Sequence, residues 1–161
     1  MMKFIASLAI LFATPACADD LIGSIIPPYP ADLKETSGAC IAGSLGSERI
    51  CDFSIGVLAD SKGKHRFVYG ASHTGRNEKG NALWRVTDAF PYPSLPIGQI
   101  ISIATCTDNG KSDETIVAAV SAVDAEWYEK VFWARRYDFE SGKFVSHPPK
   151  NVRCLNEGWG L

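Results

Sequence analysis

Five cysteines and three histidines are the side chains of this chain best suited to nucleophilic or metal chemistry. Their spacing supports neither. His65, His73 and His147 form no HxH, HxxxH or HExxH pair of the kind that brings two imidazoles to one zinc ion. Each reads as a solvated surface residue. No Cys-x-x-Cys occurs, so a redox dithiol has no seat. Gly43-Ser44-Leu45-Gly46-Ser47 lacks the Gly-x-Ser-x-Gly spacing that holds a nucleophilic serine on a sharp turn. Asp108-Asn109-Gly110-Lys111-Ser112-Asp113-Glu114 gathers oxygen ligands, but it misses the spacing of a calcium loop, and Lys111 would repel the ion. Asn109-Gly110 is instead a hairpin turn signal. Asp88, Asp124 and Glu126 could serve glycoside cleavage only if the fold set two of them across a cleft. No metal, no cofactor and no catalytic residue is therefore expected from the spacing.

Recognition chemistry is better represented. Over Val131–Phe139, strand alternation would place Val131, Trp133, Arg135, Tyr137 and Phe139 on one face. An arginine between Trp and Tyr is a natural cation–π stack, and these residue types dominate interface hot spots. The competing expectation is a core-facing aromatic ladder with Arg135 at its rim, paired to a carboxylate. The proline-rich Phe90–Leu95 segment, with Trp84 and Arg85, is a second candidate. The nominated binding residues are Trp84, Arg85, Tyr92, Leu95, Trp133, Arg135 and Arg136.

The cysteines take their meaning from the first eighteen residues, MMKFIASLAILFATPACA. Lys3 supplies a short positive region, Phe4 to Ala13 an apolar one, and Ala16-Cys17-Ala18 a small-residue cleavage signal, so a signal peptide over residues 1–18 is expected to be cut after Ala18. Lipidation at Cys17 is the lesser alternative, because Thr14 stands where such sites carry a Leu-like residue. Removing Cys17 leaves Cys40, Cys51, Cys106 and Cys154, an even set that reads as two disulfides in an exported, periplasmic or secreted protein. The favoured pairing is Cys40–Cys51, closing a Gly- and Ser-rich loop, and Cys106–Cys154, tying a central strand to the C-terminal tail. No Asn-x-Ser/Thr sequon occurs, which favours a bacterial periplasm over a eukaryotic secretory route.

These groups need strands to position them. Phe53, Ile55 and Val57 alternate with Ser54 and Gly56, and residues 65–71 alternate again beyond an Asp60–Gly63 turn, so the two runs form a hairpin. A polar loop over 72–80 and a strand over 81–88 follow. The prolines of 90–96 bar a central strand there, and the segment reads as an exposed crossing loop. Runs 97–105 and 115–123 make a second hairpin. Asp124–Lys130 is expected to form one helical turn capped by Asp124, ahead of a strand over 131–139 and another over 144–146. The fold class is mainly β, with a β-rich α+β arrangement as the variant: a twisted antiparallel sheet, sandwich-like or partly closed, with at most one or two short helices and two disulfides. The domain plan is a Pro-containing lead-in over 19–39, whose Pro27–Pro30 stretch is extended and polyproline-like, and a single β-rich domain over 40–161.

Composition narrows function. Hydrophobic residues make up 46% and charged residues 21%, which excludes a disordered chain. The formal charge of −2 becomes more negative once Lys3 is removed, and no basic block exists, so nucleic acid is not an expected partner. No apolar run after residue 18 is long enough for a transmembrane segment. The expectation is an exported, non-enzymatic protein-binding domain, an inhibitor or immunity-type protein with a partner in the cell envelope, either an enzyme or a toxin. The alternatives are a periplasmic hydrolase, or a small-molecule or glycan binder that stacks its ligand on Trp84, Trp127 or Trp133. The oligomeric state stays open.

Overall fold

The computed structural model describes residues 17–30, 32–43 and 51–160. Residues 1–16 of the expected leader and most of the Gly/Ser loop, including Ser44–Ser47, lie outside the described residues, whereas Cys17 and Ala18 are described. Among the described residues one four-residue helix, α1 (Ala18–Leu21), precedes thirteen strands. They are β1 (Ile25–Ile26), β2 (Leu33–Ile41), β3 (Phe53–Asp60), β4 (His65–Arg76), β5 (Ala82–Pro91), β6 (Gln99–Ile103), β7 (Cys106–Asp108), β8 (Lys111–Ser112), β9 (Ile116–Ser121), β10 (Trp127–Tyr128), β11 (Val131–Asp138), β12 (Lys143–His147) and β13 (Val152–Leu155).

Every strand pairing is antiparallel, so short turns suffice to join neighbours. Three sheets result, with strand orders β1-β5-β4-β3-β2, β12-β11-β9-β6 and β10-β13-β7-β8. Alternation along the strands explains how they stack. In β3 and β4, Ile55, Val57 and Val68 face the second sheet and meet Val117, Tyr137 and Phe144. Leu58, Phe67, Tyr69 and Ala71 point the other way, where Leu21 and Ile26 cover them. The second sheet is buried on both sides, because Ile116, Ala118, Val120 and Ala134 pack against Cys106, Val152 and Cys154 of the third. That double burial accounts for the Val/Ala-rich, charge-free sequence of β9.

Turn chemistry closes the hairpins where expected. Asp60 receives the Lys62 and Lys64 amides on its side chain, at 3.0 Å each. Asn109 and Gly110 have φ of 51° and 77°, the two positive values a type I′ turn requires. The disulfides are Cys40–Cys51 and Cys106–Cys154. Cys106 and Cys154 are also direct cross-strand partners in the β7–β13 ladder. Their loops span 11 and 48 residues, which corresponds to roughly 3 and roughly 4 kcal/mol of constraint on the unfolded chain.

Five local expectations change. Residues expected as a lead-in supply all of α1 but Ala18, which was expected to end the leader, together with β1 and most of β2, which forms a full edge of the first sheet. Phe90 and Pro91 belong to β5 instead of a loop; β1 pairs only with Trp84 and Arg85, so β5 is an edge at Pro91 and its missing donor costs nothing. Strand β4 runs on to Arg76, leaving Asn77–Gly80 as a tight turn. Asp124 caps no helix: Trp127 and Tyr128 pair with Leu155 and Cys154, and this ladder outweighs a single isolated helical turn. A register shift between Val131 and Trp133 swings Val131 to the opposite face from Trp133 and Tyr137.

Candidate functional site

The β11 stripe that faces the first sheet holds Trp133, Arg135 and Tyr137 at alternate positions. Its two ends differ. Tyr137 is 1% exposed, its ring seated against Gly70 of β4, where any Cβ would overlap it. Its hydroxyl shares a 2.5 Å hydrogen bond with Thr87. Burial pushes the Tyr137 pKa up, the Thr87 bond works against this, and Asp88 and Asp138 add to the rise. Phe144, its cross-strand partner, closes the same end.

Two residues back, the sheets part. Trp133 and Arg135 open onto a groove of about 540 Å³ between β5, β11 and β12, lined also by Phe90, Pro91, Pro93, Phe144 and Ser146. Phe90 stands at its centre. Its ring meets Phe144 edge-on at 5.2 Å and Trp133 at 6.3 Å. The Arg135 guanidinium lies over that ring, 4.3 Å from its centroid. The rim carboxylate expected for Arg135 is absent: among the described residues, Arg135 makes no ion pair. The stack replaces it, since a guanidinium gains from an aromatic face while keeping its N–H groups free. The groove lining contains no carboxylate, imidazole or thiol, so it has no group suited to proton transfer or nucleophilic attack near neutral pH.

Of the seven nominated residues, the fold brings Trp133 and Arg135 together. Phe90, from the second nominated segment, joins them. Trp84 packs on the opposite face of the first sheet, edge-on to His73 at 5.3 Å. Arg85 is exposed and donates to the Gly23 carbonyl at 3.2 Å. Tyr92 packs into the core between the first two sheets and against the His65 ring at 4.7 Å. Burial raises its pKa, and the Ile101 amide facing its hydroxyl moderates the rise. Leu95 is half-buried in the crossing segment. Arg136 alternates to the far side of β11, where it meets Asp108 at 3.0 Å and Asp113 at 2.7 Å.

His147 belongs to that Arg136 cluster, with Nε2 3.4 Å from Asp108 and a side chain only 12% exposed, so it is not the solvated residue expected. The cluster ties the second sheet to the third, and both carboxylates are taken up by Arg136. Another carboxylate, Glu35, accepts the hydroxyls of Tyr29 and Tyr69 at 2.7 and 2.5 Å. Burial, with Glu35 reinforcing it, raises both tyrosine pKa values. Phe144 and Ser146 were missed as groove residues. Counting hairpin register back from the Gly142 turn would have set them beside Tyr137 and Arg135.

Among the described residues, no group of three or more His, Cys, Asp or Glu side chains could hold a metal ion, and no helix is long and apolar enough to cross a membrane. No family model matches the chain, and no solved structure matches it. A stretch of 91 residues, 56% of the chain, is 35% identical to part of the alanine–tRNA ligase of Mycolicibacterium vanbaalenii. The match spans only 9% of that protein's length.

Proposed function

We propose that this is an exported, non-enzymatic protein-binding domain, of the inhibitor or immunity type, that acts by occupying an enzyme or toxin of the cell envelope. The observation that carries the reading is the groove: aromatic and arginine side chains held rigidly around a cavity whose lining has nothing to catalyse with. Trp and Arg in a preformed cavity are the usual centre of a binding interface, and rigidity lowers the ordering cost of association. The two disulfides support export, because such bonds persist in oxidising compartments. Cys40–Cys51 also braces the first sheet, which supplies Phe90 to the groove. A glycan ligand is the second reading, favoured by the half-buried Trp133 in a concave wall.

The test is capture of tagged residues 19–161 from the envelope of the native host, in parallel with Trp133→Ala. A stoichiometric enzyme or toxin is expected with the wild type, inhibited by it in a direct assay and lost with the variant. A wild-type monomer that carries no partner and inhibits nothing would overturn the proposal.

A further inference from the structure

The Arg135 end of the groove has two unsatisfied features that point to a particular kind of occupant. The first is charge. Arg66, Arg136 and Arg153 each pair with carboxylates, and Arg76 and Arg85 donate to backbone carbonyls. Arg135 alone among the described arginines makes neither kind of bond. Its stack on Phe90 holds the guanidinium plane in place, which preorganises its N–H fork for a planar anion.

The second is the backbone. Among the described residues β12 is an edge strand, paired only with β11. The Phe144 amide points away from β11 and donates to Asp88 at 2.8 Å. Tyr137, opposite Phe144, turns its own amide toward Thr115, away from β12. By strand alternation Ser146 also directs its N–H and C=O outward. Among the described residues nothing meets them, and Ser146 is exposed. Ser146 is the cross-strand partner of Arg135, so a free strand edge and a free cation stand side by side at the groove mouth.

We infer that the groove takes an extended, acidic segment of a partner polypeptide, which adds to β12 at Ser146. It seats an apolar side chain between Trp133, Phe90 and Phe144 and sets a carboxylate on Arg135. This rests on the protein-binding reading and specifies its partner chemistry. Residues two apart in an extended segment share a face, so the matching pattern is an apolar and an acidic residue separated by one residue. A sugar acid could meet the cation and stack on Trp133, but it has no peptide N–H and C=O to offer the open edge, which is why the polypeptide is favoured. Pro148 and Pro149 follow β12 and carry no donor, so the addition is confined to the short stretch around Ser146.

The inference is tested on the folded protein with seven probes followed by NMR at the Trp133 indole and Arg135 Nε signals. They are the peptides acetyl-Thr-Phe-Thr-Glu-Thr-amide and acetyl-Thr-Glu-Thr-Phe-Thr-amide, their Glu→Gln counterparts, backbone N-methylated versions of the first two, and N-acetylmuramic acid. One order of the acidic peptide is expected to bind about tenfold tighter than its Gln counterpart. Arg135→Gln should erase that difference, and N-methylation should abolish binding. Equal affinity of the Glu and Gln peptides, binding that survives N-methylation, or binding of the sugar acid alone would each overturn it. A partner captured equally well by wild type and Arg135→Gln would also overturn it while leaving the protein-binding reading intact, whereas a wild type that captures no partner would strike that reading itself.

Discussion

Tyr137 and Arg135 sit on one strand and one face, two residues apart, yet one end of the stripe is sealed and the other open. The difference comes from what stands opposite. Gly70 leaves room for the Tyr137 ring to lie directly on β4, so the sheets close there. Opposite Trp133 and Arg135 stands Phe90, followed by Pro91 and Pro93, and these residues line an open groove in place of a closed contact. A sandwich can therefore combine rigidity and recognition on adjacent residues: the closed end fixes the sheets, and the open end inherits that rigidity without filling its own space.

Substitutions at the two ends should separate these roles. The largest effect belongs to Gly70→Val, which forces a side chain into the Tyr137 ring; it should destabilise the fold by about 3 kcal/mol in urea unfolding. Trp133→Ala empties one wall of the groove and should cost about 2 kcal/mol in stability, since the ring is half-buried, while abolishing partner capture. If Trp133→Ala matched Gly70→Val in destabilisation and left capture intact, the groove would be core by another name.

Tyr137→Phe removes the Thr87 bond and should cost about 1 kcal/mol at neutral pH. It should also change the alkaline limb. The folded pKa of Tyr137 is raised from 10.0, so the fold favours the neutral hydroxyl. That contribution is complete below pH 10 and is lost as pH climbs through the raised folded value. Tyr29 and Tyr69, shifted in the same direction, add to the decline. Unfolding measured from pH 8 to 11 should show a shallower loss for Tyr137→Phe. The smallest stability effect belongs to Arg135→Gln, below about 0.5 kcal/mol because its stack is exposed. An alkaline profile altered by Arg135→Gln would show the two ends to be coupled.

What could be read from sequence followed local physics. The Asn109-Gly110 turn, the Asp60 turn and the β3–β4 hairpin come from residues that allow few conformations, and the structure has all three. An even cysteine count left three pairings open, and the structure has the favoured one. Trp133 and Arg135 were legible as neighbours on one face, but the expected stack of Arg135 between Trp133 and Tyr137 gives way to one on Phe90. Phe90 is 45 or so residues away along the chain, and nothing local says that its ring would lie beneath Arg135. The helical turn expected at Asp124 failed because Cys106–Cys154 holds β13 where β10 can pair with it, a long-range constraint that no capping residue announces.

By itself, the sequence determined a β-rich chain with two disulfides and an aromatic–arginine strand, because alternation, turn residues and cysteine number act over a few residues at a time. Only the tertiary structure decided which side of β11 each residue faces, since the single register shift at Val131/Trp133 inverts the alternation ahead of it. It also decided that Tyr137 is sealed and Arg135 left open. That choice depends on whether a glycine or a phenylalanine of another strand stands across the gap, and only packed sheets bring those residues together.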